Sequence, residues 1–158
     1  MKISTICVAA LAALAQASPV KHSIKDVKLT VESDNTEING KGLSSLHEGA
    51  GLNYFFLGEG SQDLKYNSSD KQLYFDVSDD IKFSFSVSGN FATIGVLEPY
   101  KVEFEHNYLK VNGTTDGFFA CKNVNDPYRY SENSYALMNY LGQTAPEGCI
   151  LLKVKNSA

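Results

Sequence analysis

The chain has 158 residues and a net charge of −4, from 14 basic against 18 acidic side chains of both signs interspersed along its length. That balance leaves no basic stripe for nucleic acid and no polybasic cluster for an anionic membrane surface. Three histidines and three cysteines are present, without the Cys-x-x-Cys or Cys/His spacing of a metal-ligand motif.

The predicted elements begin with a secretory signal. Lys2 supplies the charged region, Ile3 to Leu14 the apolar stretch, and Ala15-Gln16-Ala17 a small-x-small cleavage site, so the signal is residues 1–17. A membrane anchor needs about 18 or more apolar residues, and Ser18-Pro19 and Lys21 interrupt this run too early. Residues 18–23 read as a flexible leader and 24–158 as a single domain, of the commonest size for one hydrophobic core.

Within that domain, apolar residues recur at every second position in Val27/Leu29/Val31, Ile81/Phe83/Phe85/Val87, Val102/Phe104, Leu109/Val111 and Ile150/Leu152/Val154. Period two predicts strands with one buried face. Leu52–Leu57, Phe91–Leu97 and Gly117–Cys121 are more continuously apolar, which suits strands covered on both faces. Turn formers punctuate these runs, including Asn39-Gly40, Gly58-Glu59-Gly60, Ser78-Asp79-Asp80, Gly89-Asn90 and the hairpin signal Asn112-Gly113. Only Glu132–Leu141 has the pattern of a short helix, and Lys122–Gly148 around it, rich in Asn, Asp, Pro and Tyr, reads as an ordered loop. The predicted fold is all-β: an antiparallel β-sandwich, with a β-barrel as the alternative, and one short helix or ordered loop near the C-terminus.

Removing the signal also removes Cys7, and the two remaining cysteines, Cys121 and Cys149, most simply form one disulfide in an oxidising compartment. Closing a loop of about 28 residues would stabilise the fold by roughly 3–4 kcal/mol. The alternatives are metal binding or a free catalytic thiol. Asn67-Ser68-Ser69 and Asn112-Gly113-Thr114 are N-glycosylation acceptors in turn-like sequence.

No catalytic motif emerges. Gly42-Leu-Ser44-Ser-Leu46 lacks the closing glycine of a nucleophile elbow, and His47-Glu48 lacks a second histidine at helical spacing. A glycosidase would need two facing carboxylates. Glu48, Asp76, Glu98, Glu103, Glu105 and Asp116 are the candidates, although Glu103 and Glu105 alternate with Val102 and Phe104 as solvated strand residues do. The glycines of His47–Gly58 match neither phosphate-loop pattern and read as a tight turn into a buried strand. Tyr128, Tyr130, Tyr135 and Tyr140 gather with Asn123, Asn125, Asn133 and Asn139 in the irregular loop, a composition suited to stacking on sugars. Tyrosines packed by their rings with a wet hydroxyl are the competing reading.

Two stretches carry a family likeness: HEGAGLNYFFLG at 47–58, and GFFACKNVNDPYRYSENSYALMNYLGQTAPEGC at 117–149. Together they resemble the small cell-wall mannoproteins of ascomycete fungi, the yeast glycolipid-anchored wall proteins and the PhiA-like wall proteins of moulds. The resemblance implies a secreted, non-enzymatic glycoprotein of the fungal wall or extracellular space, structural or surface-interacting, with Cys121 and Cys149 at the family's cysteine positions. It implies no catalytic residue and no cofactor. Wall polysaccharide or other wall glycoproteins are the expected partners, and no membrane span is expected. The end of the chain, Ile150 to Ala158, has its few apolar residues broken by lysines and does not read as a glycolipid-anchor tail. Release into the medium is therefore expected alongside wall retention. The second reading is a carbohydrate-binding module using the Tyr/Asn loop, and the third a wall-glycan hydrolase.

Overall fold

A computed structural model describes residues 23–158, so the expected signal at 1–17 and all of the leader but Ser23 lie outside the described residues. Twelve strands follow in chain order: β1 Ile24–Glu32, β2 Gly42–Gly49, β3 Leu52–Gly58, β4 Asp63–Asn67, β5 Gln72–Ser78, β6 Ile81–Ser88, β7 Phe91–Gly95, β8 Val102–Glu105, β9 Tyr108–Val111, β10 Phe118–Cys121, β11 Ala136–Asn139 and β12 Ile150–Asn156. Among the described residues no helix is long and apolar enough to cross a membrane.

The sheet closes on itself. Nine strands pair antiparallel around a ring in the order β1-β4-β5-β6-β7-β3-β11-β10-β12, and β12 returns to β1 with Val31 opposite Val154. The chain is thus all-β as expected, and it takes the barrel alternative in place of the sandwich. Closure is the physical reason: β1 has β4 on one edge along Ile24–Lys28 and β12 along Leu29–Glu32, leaving no open edge at the seam. The remaining strands dress the ring. β2 runs along the free edge of β3 and touches β1 at Thr30 opposite Gly42, and the β8–β9 hairpin joins β12 at Tyr108.

Inward side chains fill the barrel. Leu29, Phe55, Leu73, Phe85, Ile94, Phe118 and Leu137 of the ring strands are all fully buried, with Leu43 of β2 and Leu109 of β9 in the same cluster, consistent with a ring of this size being filled by side chains. The period-two reading holds best at Val27/Leu29/Val31 and Leu109/Val111, whereas Ile81, at the tip of the β5–β6 hairpin, stands half exposed.

Two sequence expectations change. Asn112-Gly113 forms a tight turn with positive φ at both residues, but only Val111 and Thr114 pair across it before the chain leaves for β10. The Glu132–Leu141 segment is not a helix: its middle is strand β11, preceded by a short 3-10 turn at Tyr130–Glu132. All four β11 residues are buried, Leu137 inside the barrel and Ala136 and Met138 in a second cluster outside it, so both faces of the segment are covered. A position in the ring wall supplies that double burial, and an amphipathic surface helix would not.

The glycine-rich turn has a close backbone approach as its cause. The Gly51 carbonyl accepts the Val96 N–H at 2.9 Å, and a methyl group added at Gly95 would collide with that same Gly51 oxygen. Gly42 is equally confined, against the Gly60 backbone. Gly95→Ala and Gly42→Ala are each expected to lower stability by about 1–3 kcal/mol, the cost of overpacking, whereas Gly58→Ala, with open space beside it, should cost under 1 kcal/mol; urea denaturation of the three variants checks the order.

Candidate aromatic ledge and its anchorage

The β10–β11 hairpin carries a long loop, Lys122–Tyr135, that folds down over the outside of the barrel. Its root is tied covalently: Cys121, ending β10, and Cys149, just before β12, form a disulfide with Cα atoms 4.5 Å apart. The outer faces of β3, β7, β10 and β11 supply the floor. Phe56, Ala136, Met138 and Tyr140 are buried there with Cys121, and Tyr54, Phe91, Phe119 and Val124 pack around them. This second apolar layer explains the apolar stretch Tyr54–Leu57 in β3: Phe55 and Leu57 face the barrel interior and Phe56 faces the loop.

The loop's shape is written by one aspartate. Asp126 is 2% exposed, and its carboxylate accepts the N–H groups of Tyr130 at 2.6 Å and Ser131 at 3.1 Å, closing the 3-10 turn. Asn123, Asn125 and Arg129 take positive φ, a conformation that asparagine tolerates better than most residues. Ser131 reinforces the turn, its hydroxyl accepting the Val124 N–H and its carbonyl the Asn123 N–H.

The four tyrosines do not form one platform. Tyr128 and Tyr130 are 53% and 39% exposed, with ring centroids 6.1 Å apart. His47 of β2 stacks against Tyr128 at 5.8 Å, and Tyr130 sets its edge on Phe56. Together His47, Tyr128 and Tyr130 make an exposed aromatic ledge. Tyr135 is elsewhere, its hydroxyl donating to Glu37 at 3.1 Å and Lys122 lying over its ring. Tyr140 is buried against Phe119 and belongs to the packing. Of the asparagines, Asn123 and Asn125 line a groove of about 600 Å³ with Phe91, Met138, Pro146 and Cys149, while Asn139 is buried in β11.

The candidate carboxylates are dispersed. Asp76 pairs with Lys65, Glu103 with Lys71 and Lys110, Glu105 with Lys110 and Asp116 with Lys153, all on the outer surface, and Glu98 is exposed. Glu48 alone is buried, 3% exposed. One of its oxygens accepts the Tyr128 N–H at 2.8 Å and so pins the ledge to β2; the other, Oε1, has no hydrogen-bond donor among the described residues. Asp126 stands two residues before Tyr128, the backbone donor to Glu48, so the two buried carboxyls enter the same contact between β2 and the loop. Sequence reasoning missed Asp126 altogether; the signal available was Asp126-Pro127, a turn-forming pair whose buried partner lies 78 positions away. Among the described residues no cluster of three or more metal-ligating side chains occurs.

The two glycosylation acceptors sit in different settings. Asn112 is exposed at its turn. Asn67 is half-buried at the end of β4, its side-chain oxygen accepting the Ser69 N–H at 3.0 Å and its amide donating to Asp70 at 2.6 Å.

Comparison with known proteins decides the family. Residues 25–155 match a family described as a domain of unknown function, DUF7907. The chain belongs to that family. Its relatives include, from Candida albicans, Cell wall protein RHD3, 36% identical over 82% of this chain and 65% of the relative, and Cell wall protein PGA30, 38% identical over 89% of this chain and 51% of the relative. Cell wall protein PGA31 of the same organism is 37% identical over 73% of the chain. The chain thus spans only about two fifths to two thirds of the length of these curated relatives, 42% in the case of PGA31, and the likeness to fungal wall proteins read from residues 47–58 and 117–149 is borne out. No solved structure matches the chain.

The disulfide spans 28 positions, and Cys121→Ala/Cys149→Ala is expected to lose about 3 kcal/mol. Hydrogen exchange should show the loss first in Lys122–Tyr135 and only later in the β1–β12 seam; comparison of the double variant with the wild-type protein by urea denaturation and exchange mapping checks both points.

Proposed function

We propose that this protein is a secreted, non-enzymatic glycoprotein of the fungal cell wall, with a structural or surface-interaction role. The observation that carries the reading is the likeness, over most of the chain, to curated relatives that are named cell wall proteins. The structure supports it physically. The barrel interior is filled by its own side chains, so partners are met on the outer surface, and Asn112 and Asn67 offer attachment points for glycans at two turns. Linking a glycan to the Asn67 amide leaves one N–H to donate to Asp70, so that turn can persist in the glycosylated chain.

Fractionating cells that express a tagged copy tests the assignment. The tag should appear in glucanase-released wall or in the medium and not in the detergent-soluble fraction. Deglycosylation should increase gel mobility, with Asn67→Gln and Asn112→Gln each removing one step. A protein retained inside the cell with unchanged mobility would overturn the reading.

The ledge of His47, Tyr128 and Tyr130 favours a second reading, binding of wall polysaccharide. Exposed aromatic rings fixed from behind bury apolar area against a sugar face at little cost in ordering. The structure separates the candidates: Tyr128→Ala and Tyr130→Ala should each weaken cosedimentation with insoluble β-glucan or chitin by about tenfold, the equivalent of 1.4 kcal/mol. Tyr135→Phe, away from the ledge, should leave it unchanged. Equal retention of all three variants would remove the ledge from consideration.

A further inference from the structure

Glu48 and Asp126 come from opposite sides of the contact between β2 and the Lys122–Tyr135 loop, and both are almost fully buried. Among the described residues neither has a cationic partner; the nearby Arg129 is paired with Glu132 on the loop's exterior. Two carboxylates enclosed together without a cation cannot both be ionised at modest cost, since each charge is desolvated and each repels the other. One proton between them converts repulsion into a hydrogen bond from a carboxylic acid to a carboxylate, a short and strong type. The hydrogen bonding says which group holds it. Asp126 already accepts from Tyr130 and Ser131 as an anion, whereas Glu48 has one orphaned oxygen.

We propose that Glu48 and Asp126 form a proton-dependent latch: a proton held on Glu48 fastens the Lys122–Tyr135 loop, with its Tyr128–Tyr130 ledge, to the barrel, and loss of that proton releases the loop. The proposal is independent of the wall assignment.

Electrostatics agrees with the geometry. Burial, with Asp126 adding to it, pushes the Glu48 carboxyl up to about 7 against the opposing hydrogen bond from Tyr128. Burial alone would raise Asp126 as well, but hydrogen bonds from Ser131, Glu48 and Tyr130 more than offset it and hold its carboxyl below the usual aspartate range. The other titratable groups around the pair are accounted for. Tyr54 of β3 is pushed up by burial and by the two carboxyls, which keeps its hydroxyl neutral. His47 of β2 stacks outward on Tyr128, Tyr128 and Tyr130 point their rings to solvent, and Arg129 and Glu132 satisfy one another.

The sign follows from linkage. A carboxyl that binds its proton more tightly when the loop is closed favours closure while the proton is present. Opening therefore becomes easier as pH rises from the ordinary glutamate range, about 4.5, through about 7, and no easier above it. Asp126, ionised in both states over that window, contributes no slope.

Amide hydrogen exchange on the purified full-length secreted protein reads the latch, with rates corrected for intrinsic pH dependence. Protection of the Tyr128, Tyr130 and Ser131 amides should fall by up to about tenfold per pH unit between about 4.5 and 7 and level off beyond. The Phe118–Leu152 pair of the barrel wall should keep its protection throughout. Glu48→Gln, which donates like the protonated acid at every pH, should abolish the slope, and His47→Gln should preserve it. A flat wild-type profile, a slope that survives Glu48→Gln, or one that disappears in His47→Gln would overturn the proposal. Should Glu48→Gln fail to fold, the carboxyl ¹³C shift of Glu48 in the wild-type protein decides alone: a midpoint near 7 supports the latch and one near 4.5 overturns it.

Discussion

Where β7, β3 and β11 meet, one edge of β7 is shared between two partners. Leu52–Tyr54 of β3 take Gly95–Thr93, and Met138 of β11 takes Phe91 one step further along. β3 and β11 then pair with each other at Phe56 opposite Ala136. This junction lets a sheet that has already coiled through β4, β5, β6 and β7 pass on to β11, β10 and β12 and so return to β1. Without it the ring would open, and two long strand edges would be left to find other partners.

The junction also fixes what lies outside the barrel. Because β3 and β11 meet at Phe56 and Ala136, the outward side chains there are apolar, and they need a cover. The β10–β11 loop provides it, and the disulfide at its root stands beside Ala120 opposite Ile150, where β10 hands over to β12. Closure of the ring, the second apolar layer and the position of the aromatic ledge are therefore one problem with one solution. The close contact of Gly51 with Gly95 is part of it, since it lets the end of β7 lie against the turn that delivers β3.

Much of the wall was legible in the chain. Alternation in Val27/Leu29/Val31 and the more continuous apolar runs at 52–57 and 117–121 state how many faces each strand buries, and the structure agrees. The choice between sandwich and barrel was not legible, because it turns on β1 pairing with β12 across more than a hundred residues, and period-two patterning is the same for both. Glu132–Leu141 misled for a related reason: Ala136-Leu-Met-Asn139 suits either a helix or a doubly covered strand, and only the partners on either side decide. The tyrosine loop was legible as a composition and not as a geometry. Tyr128 and Tyr130 face out while Tyr140 packs inward, a division set by Asp126, whose role depends on Glu48 far away in sequence.

The outer layer is held by ties of different kinds, and this sets the order in which the molecule can yield. The barrel ring is a continuous hydrogen-bonded circuit around a filled core, and opening it exposes the whole interior. The Lys122–Tyr135 loop rests on a smaller apolar floor, one covalent tie at its root and a few hydrogen bonds concentrated on two carboxyl groups. Local opening free energies follow contact and burial, so the loop opens before the wall does. The disulfide limits that opening without preventing it, since it joins the ends of β10 and β12 and leaves the tip of the loop free to lift. The surface best suited to meeting a partner is thereby the part of the chain whose fixation is least tied to the stability of the barrel, and selection can alter the ledge without disturbing the ring that carries it.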